Sequence, residues 1–323
     1  MRERVLLTGA SGFVGQPLLR ALLDRGWQID AVTRSPHPPR MAEVTWHQVD
    51  LLDLNAQTTL LEQLRPAHLV HAAWYVEHGV FWHADANEDW LTASKHLADV
   101  FVRTGGQRFL GVGTCAEYAA IDTQDEAPWP ETRRLAPSTP YGRAKLALFE
   151  HLQTLMDTHP QVQTAWARLF LLFGPGEQAP RLVPSVLNAL TAGEPALCGS
   201  GRPVRDVVST WWAAQAMAAL LCSDVTGPVN VCSGQGARTG DVARQLARLL
   251  GREDLLKWGA RPDPAHDSPV MVGDPHRLRT EVGFTDRFDL VKDLQRLVAA
   301  HKKPMDTQGT KAITNSASSK APR

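Results

Sequence analysis

The stretch Thr8-Gly9-Ala10-Ser11-Gly12-Phe13-Val14-Gly15 decides how this chain is read. Residues 4–7, Arg-Val-Leu-Leu, precede it as a short apolar run suited to one buried strand. A helical pattern over residues 13–25 follows it and closes at Gly26. A glycine triplet alone says little, but between a strand and a helix it has a mechanical meaning. Gly9 and Gly12 let the backbone turn tightly and approach a pyrophosphate, and Gly15 lets the helix pack close to the strand. The free N–H groups at the helix start then face the phosphates. Gly9, Ser11, Gly12, Phe13, Val14 and Gly15 are therefore expected at a dinucleotide.

Outward from this loop, short apolar runs alternate with helical patterns. Strands are expected over residues 4–8, 28–33, 44–49, 68–73, 108–112 and 163–169. Helices are expected over 13–25, 55–64, 87–103 and 139–159. Such alternation implies right-handed βαβ units and an α/β fold with a doubly wound parallel sheet. After Phe173, Pro and Gly become frequent and the helices shorten. Strands are expected at 204–208 and 228–231, and helices at 211–221 and 240–250. The chain thus divides into a dinucleotide-binding domain (1–170 with 203–233) and a smaller mixed α/β substrate lobe (171–202 with 234–301). The polar tail, 302–323, is expected to be disordered.

The end of the second strand discriminates NAD from NADP. An acidic residue there would bond the ribose hydroxyl, but this chain has Thr33-Arg34-Ser35. Arg34 can pair with a 2′-phosphate, which favours NADP(H) and leaves NAD(H) open. The bland alternative makes Arg34 a solvated loop charge. Asp50-Leu51 follows the third strand, where Asp50 either bonds the adenine amino group or caps the strand end. Ala72-Ala73 follow the fourth, small enough for a cofactor to lie against the sheet edge.

Tyr141-Gly142-Arg143-Ala144-Lys145 falls in the helical stretch after Pro140 and places a phenol and an ammonium on one helix face. A nearby ammonium would lower the phenol pKa from about 10 and make it a usable acid near neutral pH. Lys145 can also hold a nicotinamide ribose. Thr114 stands at the carboxyl end of the fifth strand, where parallel sheets bind ligands, and can polarise a substrate oxygen.

The glycine loop, Thr114, Tyr141-x-x-x-Lys145 and the later Gly-x-x-Val-Arg-Asp at 201–206 together resemble the extended short-chain dehydrogenase/reductase family, of the NAD-dependent epimerase/dehydratase type. The likeness runs from Arg4 to about residue 300 in the family's order and spacing. It implies a Rossmann domain with a substrate lobe, and it places the family's Ser/Thr, Tyr and Lys roles on Thr114, Tyr141 and Lys145. The family holds nucleotide-sugar epimerases, dehydratases and ketoreductases. Its dehydratases carry Asp-Glu after the threonine; here Cys115-Ala116 stand there, and Glu117 falls one position late. Leu171 replaces an Asn common in nucleotide-sugar members, and Trp211-Trp212 replace an Asp pair. Arg181 and Arg205 could clamp a diphosphate, and Trp74 could stack on a sugar or base. The reading that results is NADP(H)-dependent reduction of a keto-sugar, a nucleotide-linked 4-keto-6-deoxyhexose, in deoxysugar or polysaccharide biosynthesis. A C4 epimerase with retained NAD and a non-catalytic dinucleotide-binding regulator are the alternatives.

The totals agree with such a protein. In 323 residues, Lys+Arg and Asp+Glu both number 34, so nothing in the charge balance calls for nucleic acid or an anionic membrane. No stretch reaches the ~18 apolar residues of a membrane span. The N-terminus does not read as a signal peptide, since its apolar run is short and leads into the glycine loop. Cys115, Cys198, Cys222 and Cys232 form no CxxC pair, and the histidines lack ligand company, so no metal is expected. A cytoplasmic enzyme is expected, with residues 91–101 and 146–155 as faces for a homodimer.

Overall fold

The computed structural model describes residues 3–36, 38, 41–120, 128–263 and 268–302. The tail expected to be disordered lies, from residue 303, outside the described residues. In chain order the elements are β1 (Arg4–Thr8), α1 (Gly15–Asp24), β2 (Gln28–Thr33), β3 (Val44–Gln48), α2 (Leu54–Leu64), β4 (His68–His71), α3 (Ala86–Arg103) and β5 (Arg108–Thr114). After them come α4 (Pro140–Thr158), β6 (Gln163–Leu169), β7 (Leu171–Phe173), α5 (Leu182–Ala192), β8 (Ala196–Leu197), β9 (Val204–Ser209) and α6 (Thr210–Leu221). The remainder is β10 (Gly227–Val231), β11 (Gly236–Arg238), α7 (Thr239–Leu250), β12 (Leu256–Lys257), β13 (Val270–Met271), α8 (His276–Thr280) and α9 (Leu290–Lys302).

Seven strands form one parallel sheet in the order β10-β6-β5-β4-β1-β2-β3. The alternation of side chains along β1 shows why helices cover both faces. Val5 and Leu7 join a core with Leu18, Leu19 and Leu22 of α1 and the alanine-rich α6. Leu6 points the other way, into a core with Leu60 and Leu61 of α2, Leu97 and Phe101 of α3, and Leu148 and Leu152 of α4. Both faces are apolar, as a doubly wound sheet requires. The chain leaves β1 toward β2 and β3 on one side and returns to β4 and β5 on the other. The crevice at this switch point is where ligands bind in such sheets.

A second, smaller sheet runs β11-β9-β13, with β7 also pairing β9. Here the structure corrects the expected division of the chain. Residues 228–231 do extend the main sheet, as β10 beside β6. Residues 204–209, expected in the same domain, form the centre of the second sheet instead. Val207 and Val208 pack into the same core as α5, α7 and α9, so this lobe is joined to the α1/α6 face through continuous apolar contact. Among the described residues, no helix is long and apolar enough to cross a membrane.

Candidate active site

The carboxyl ends of the central strands open on a cavity of about 410 Å³. Every residue expected at the cofactor, the reacting oxygen or the substrate lines it, except Asp50 and Arg205. Gly9 takes φ +69°, and a Cβ there would lie 2.7 Å from the Ala73 nitrogen. A Cβ on Gly15 would lie 1.9 Å from the Gly9 carbonyl oxygen. Only bare backbone can pass so close, and the turn therefore lies flush against the Ala72-Ala73 edge. Val14, the N-cap of α1, offers no side-chain cap, and Gly12, Phe13 and Val14 line the cavity. This cradle fits a dinucleotide pyrophosphate, whose oxygens the amides of Gly12–Gly15 would hold.

The lip of the cradle is braced from behind. Thr8 Oγ1 accepts from the amides of Ala72 (3.2 Å) and Ala73 (3.3 Å), so its own proton goes to His71 Nδ1 at 2.8 Å. His71 Nε2–H then donates to Ser94 Oγ (2.9 Å), which donates to the Trp90 carbonyl (2.6 Å). The relay needs a neutral imidazole. Burial lowers the His71 pKa to about 3, and the Lys145 charge pushes the same way. His71 is not legible in the sequence, because a lone histidine in an apolar strand announces nothing until Thr8 and Ser94 stand beside it.

Arg34 lines the cavity just past the end of β2. Asp30 is buried within β2, paired with His47 at 2.8 Å and Arg4 at 3.4 Å, and so is unavailable to a ribose. Asp50 is exposed, and its Oδ1 accepts from the Leu52 amide at 3.0 Å. Of the two roles open to it, strand-end cap is the one this geometry fits, while Leu51 lines the cavity.

Thr139 and Pro140 start α4 as cap and first-turn proline, with Thr139 Oγ1 accepting from the Gly142 amide at 3.1 Å. That start places Tyr141 and Lys145 facing the end of β5. Thr114 is the N-cap of a single 3₁₀ turn, Cys115–Glu117. Its Oγ1 accepts from the Ala116 amide, and its own amide donates to Glu117 Oε1 at 2.9 Å. The Thr114 side chain lies near the Tyr141 phenol, and both line the cavity. Phe81 and Trp82 stand edge-on to the Tyr141 ring at 4.9 and 5.5 Å, and the Tyr141 amide donates to the Trp82 carbonyl.

Electrostatically the pair differs from expectation. Burial drives the Tyr141 pKa upward, and the nearby Thr114 hydroxyl only partly opposes this. Lys145 does not supply the expected lowering. Its Nζ donates to the Val112 carbonyl at 3.0 Å and lies 3.8 Å from the centroid of the Trp74 ring. Burial also lowers the Lys145 pKa, to about 7, against the pull of the Glu117 charge. Desolvation outweighs attraction at both groups, Lys145 buried and Tyr141 half-buried among the Phe81, Trp82 and Trp74 rings.

Glu117, one position late for the dehydratase carboxylate, is the polar centre beneath Thr114. It is fully buried and accepts from Arg168 Nε (2.7 Å), Trp166 Nε1 (2.9 Å) and the Thr114 amide. A sequence signal existed: Arg168 is the one charge in a buried strand, and such a charge demands a partner. Arg205, expected to clamp substrate, is also buried, but its Nη1 donates to the carbonyls of Val204 (2.8 Å) and Pro269 (3.4 Å). Its place on β9, in the second sheet, removes it from the cavity lining, whereas Arg181 lines it.

The dTDP-glucose 4,6-dehydratase of Streptomyces griseus is 26% identical, covering 94% of this chain and 95% of its own length. The 2-alkyl-3-oxoalkanoate reductase of Stenotrophomonas maltophilia is 28% identical over 85% of this chain and 81% of its own. The fold matches that of the Thermus thermophilus UDP-glucose 4-epimerase in complex with NAD, at a TM-score of 0.80 and 24% identity, covering 92% of this chain and 98% of that one. The model of the NAD dependent epimerase/dehydratase family matches residues 5–232, and the chain belongs to that family.

Proposed function

We propose that this enzyme is an NADP(H)-dependent carbonyl reductase acting on a nucleotide-linked keto-sugar, a 4-keto-6-deoxyhexose, in cytoplasmic deoxysugar or polysaccharide biosynthesis. The observation that carries the reading is the poverty of proton-moving groups around Thr114 and Tyr141. Cys115 and Ala116 bring no carboxyl to the position following Thr114. Glu117 is enclosed by Arg168, Trp166 and the Thr114 amide and cannot reach a substrate. A site that can hand one proton to one oxygen suits carbonyl reduction; removing water from a sugar needs a further acid and base. The relative named as a 2-alkyl-3-oxoalkanoate reductase, 28% identical to this chain, supports carbonyl reduction.

The cofactor, when bound, supplies the hydride that goes to the carbonyl carbon. Tyr141 gives its phenolic proton to the resulting alkoxide, and Thr114 hydrogen-bonds the same oxygen. Lys145 would hold the nicotinamide ribose, and Arg34 the 2′-phosphate. Arg181 would meet the anionic part of the acceptor. The wall formed by Phe81, Trp82, Phe170, Leu171 and Leu172 suits a methyl-bearing sugar face, since a hydroxyl buried there would go unpaired.

The test is a panel of nucleotide-linked 4-keto-6-deoxyhexoses offered with NADPH and with NADH. The expected result is alcohol formed in step with NADPH consumed, and a preference for NADPH that Arg34→Glu shifts toward NADH. Interconversion of sugars without net loss of reductant would identify a C4 epimerase instead. No turnover on any member would remove the substrate assignment, and an unchanged preference in Arg34→Glu would remove the cofactor assignment.

A further inference from the structure

Lys145 is a buried ammonium with no carboxylate paired to it among the described residues. Two groups offset the loss of water: the Val112 carbonyl and the face of the Trp74 ring. The face is where an aromatic ring is most negative, and a desolvated ammonium gains most from it. Trp74 is itself fixed. Its Nε1 donates to Asn87 Oδ1 at 3.0 Å, and Asn87, with no exposed surface, donates through Nδ2 to the carbonyls of Phe81 (2.7 Å) and Ala84 (2.9 Å). The turn so anchored carries the Phe81 and Trp82 rings that abut Tyr141. One indole therefore joins the lysine on α4 to the turn that shapes the acceptor end of the cavity.

We propose that Trp74 is a positioning residue for Lys145, holding the ammonium between its ring and the Val112 carbonyl where the nicotinamide ribose would meet it. This differs from the stacking of Trp74 on a sugar or base, which would act on the acceptor alone. The ring also favours the charged form of a lysine whose pKa burial has brought to about 7. Asn87 sets the plane of the ring, so cofactor affinity is coupled to the order of the 81–84 turn. The inference rests on the cofactor reading given under Proposed function but not on the identity of the acceptor.

The test is a double-mutant cycle on NADPH affinity, measured by titration calorimetry without any acceptor. Trp74→Leu is expected to weaken NADPH binding roughly tenfold, and Trp74→Phe, which keeps a poorer ring, by less. In a Lys145→Met background the same Trp74→Leu change is expected to alter affinity by less than about twofold, because its route of action is gone. Equal losses in both backgrounds would overturn the proposal, since Trp74 would then act independently of Lys145. So would an unchanged NADPH affinity accompanied by a raised acceptor KM, the signature of substrate stacking. If Trp74→Leu fails to fold, Trp74→Phe is carried through both backgrounds under the same criterion. Failure of the unsubstituted protein to bind either NADPH or NADH would overturn the cofactor reading itself, an outcome distinct from an additive cycle.

Discussion

Replacing Glu117 with Gln probes the buried polar centre beneath Thr114. The Glu117–Arg168 pair has its atoms 2.7 Å apart, with side chains 0% and 1% exposed. Gln keeps an oxygen for Trp166 Nε1 or the Thr114 amide, but its NH2 group confronts the Arg168 guanidinium. Arg168 retains Tyr118 Oη and the Glu131 carbonyl, both at 3.3 Å, and neither carries the lost charge. Removing one partner from a buried pair costs on the order of 3–5 kcal/mol, because the other charge is left uncompensated. At about 2–4 °C per kcal/mol for a large domain, Tm falls by roughly 10 °C. The sign differs when both partners go. Glu117→Leu with Arg168→Met leaves no stranded charge and should recover part of the loss, since apolar replacement of a buried pair is often neutral or better. Calorimetry and urea denaturation followed by tryptophan emission measure both variants. A Tm for Glu117→Gln within about 2 °C of the parent, or a double variant less stable than the single by the full additive amount, would refute the reasoning.

Tyr141→Phe should lower kcat roughly 10²–10⁴-fold while leaving NADPH affinity near its parent value, because the phenol acts on the substrate oxygen; steady-state kinetics beside calorimetric titration separate the two. Gly15→Ala should abolish cofactor binding and lower Tm, since its Cβ would meet the Gly9 oxygen at 1.9 Å with only backbone available to move; retained binding would contradict the close packing. The His71 relay predicts a dependence of stability on pH. With a pKa of about 3 folded against 6.5 unfolded, the unfolded chain binds the extra proton between these values. Stability therefore falls as pH drops below 6.5 and is lost progressively toward 3. Urea midpoints across that window should fall more steeply in the parent than in His71→Gln, and parallel curves would contradict the relay.

What this sequence determined by itself is whatever depends on near neighbours along the chain. The strand–glycine loop–helix order from Arg4 to Asp24 requires only local backbone geometry, and the loop is legible without knowing what surrounds it. Tyr141 and Lys145 share a face because a helix returns every four residues or so. The alternation of apolar runs with helical patterns is enough to imply a parallel sheet, and Leu6 against Val5 and Leu7 shows that sheet covered on both faces. The departures at Cys115-Ala116 were equally visible, since they are identities at known places.

Tertiary structure decided what depends on residues far apart in the chain and on the exclusion of water. Glu117 looked like a carboxylate out of position until Arg168, 51 residues on, was seen to enclose it. Arg205 looked like a free cation, yet β9 lies in the second sheet and its guanidinium is bonded to backbone carbonyls. The expected lowering of the Tyr141 pKa followed from spacing and took no account of burial, which drives it upward instead. Lys145 faces Trp74, 71 positions before it in the chain, and no local pattern relates the two. Spacing along a helix says which side chains can meet; only the packed interior determines which charges are desolvated, and with what they are paired.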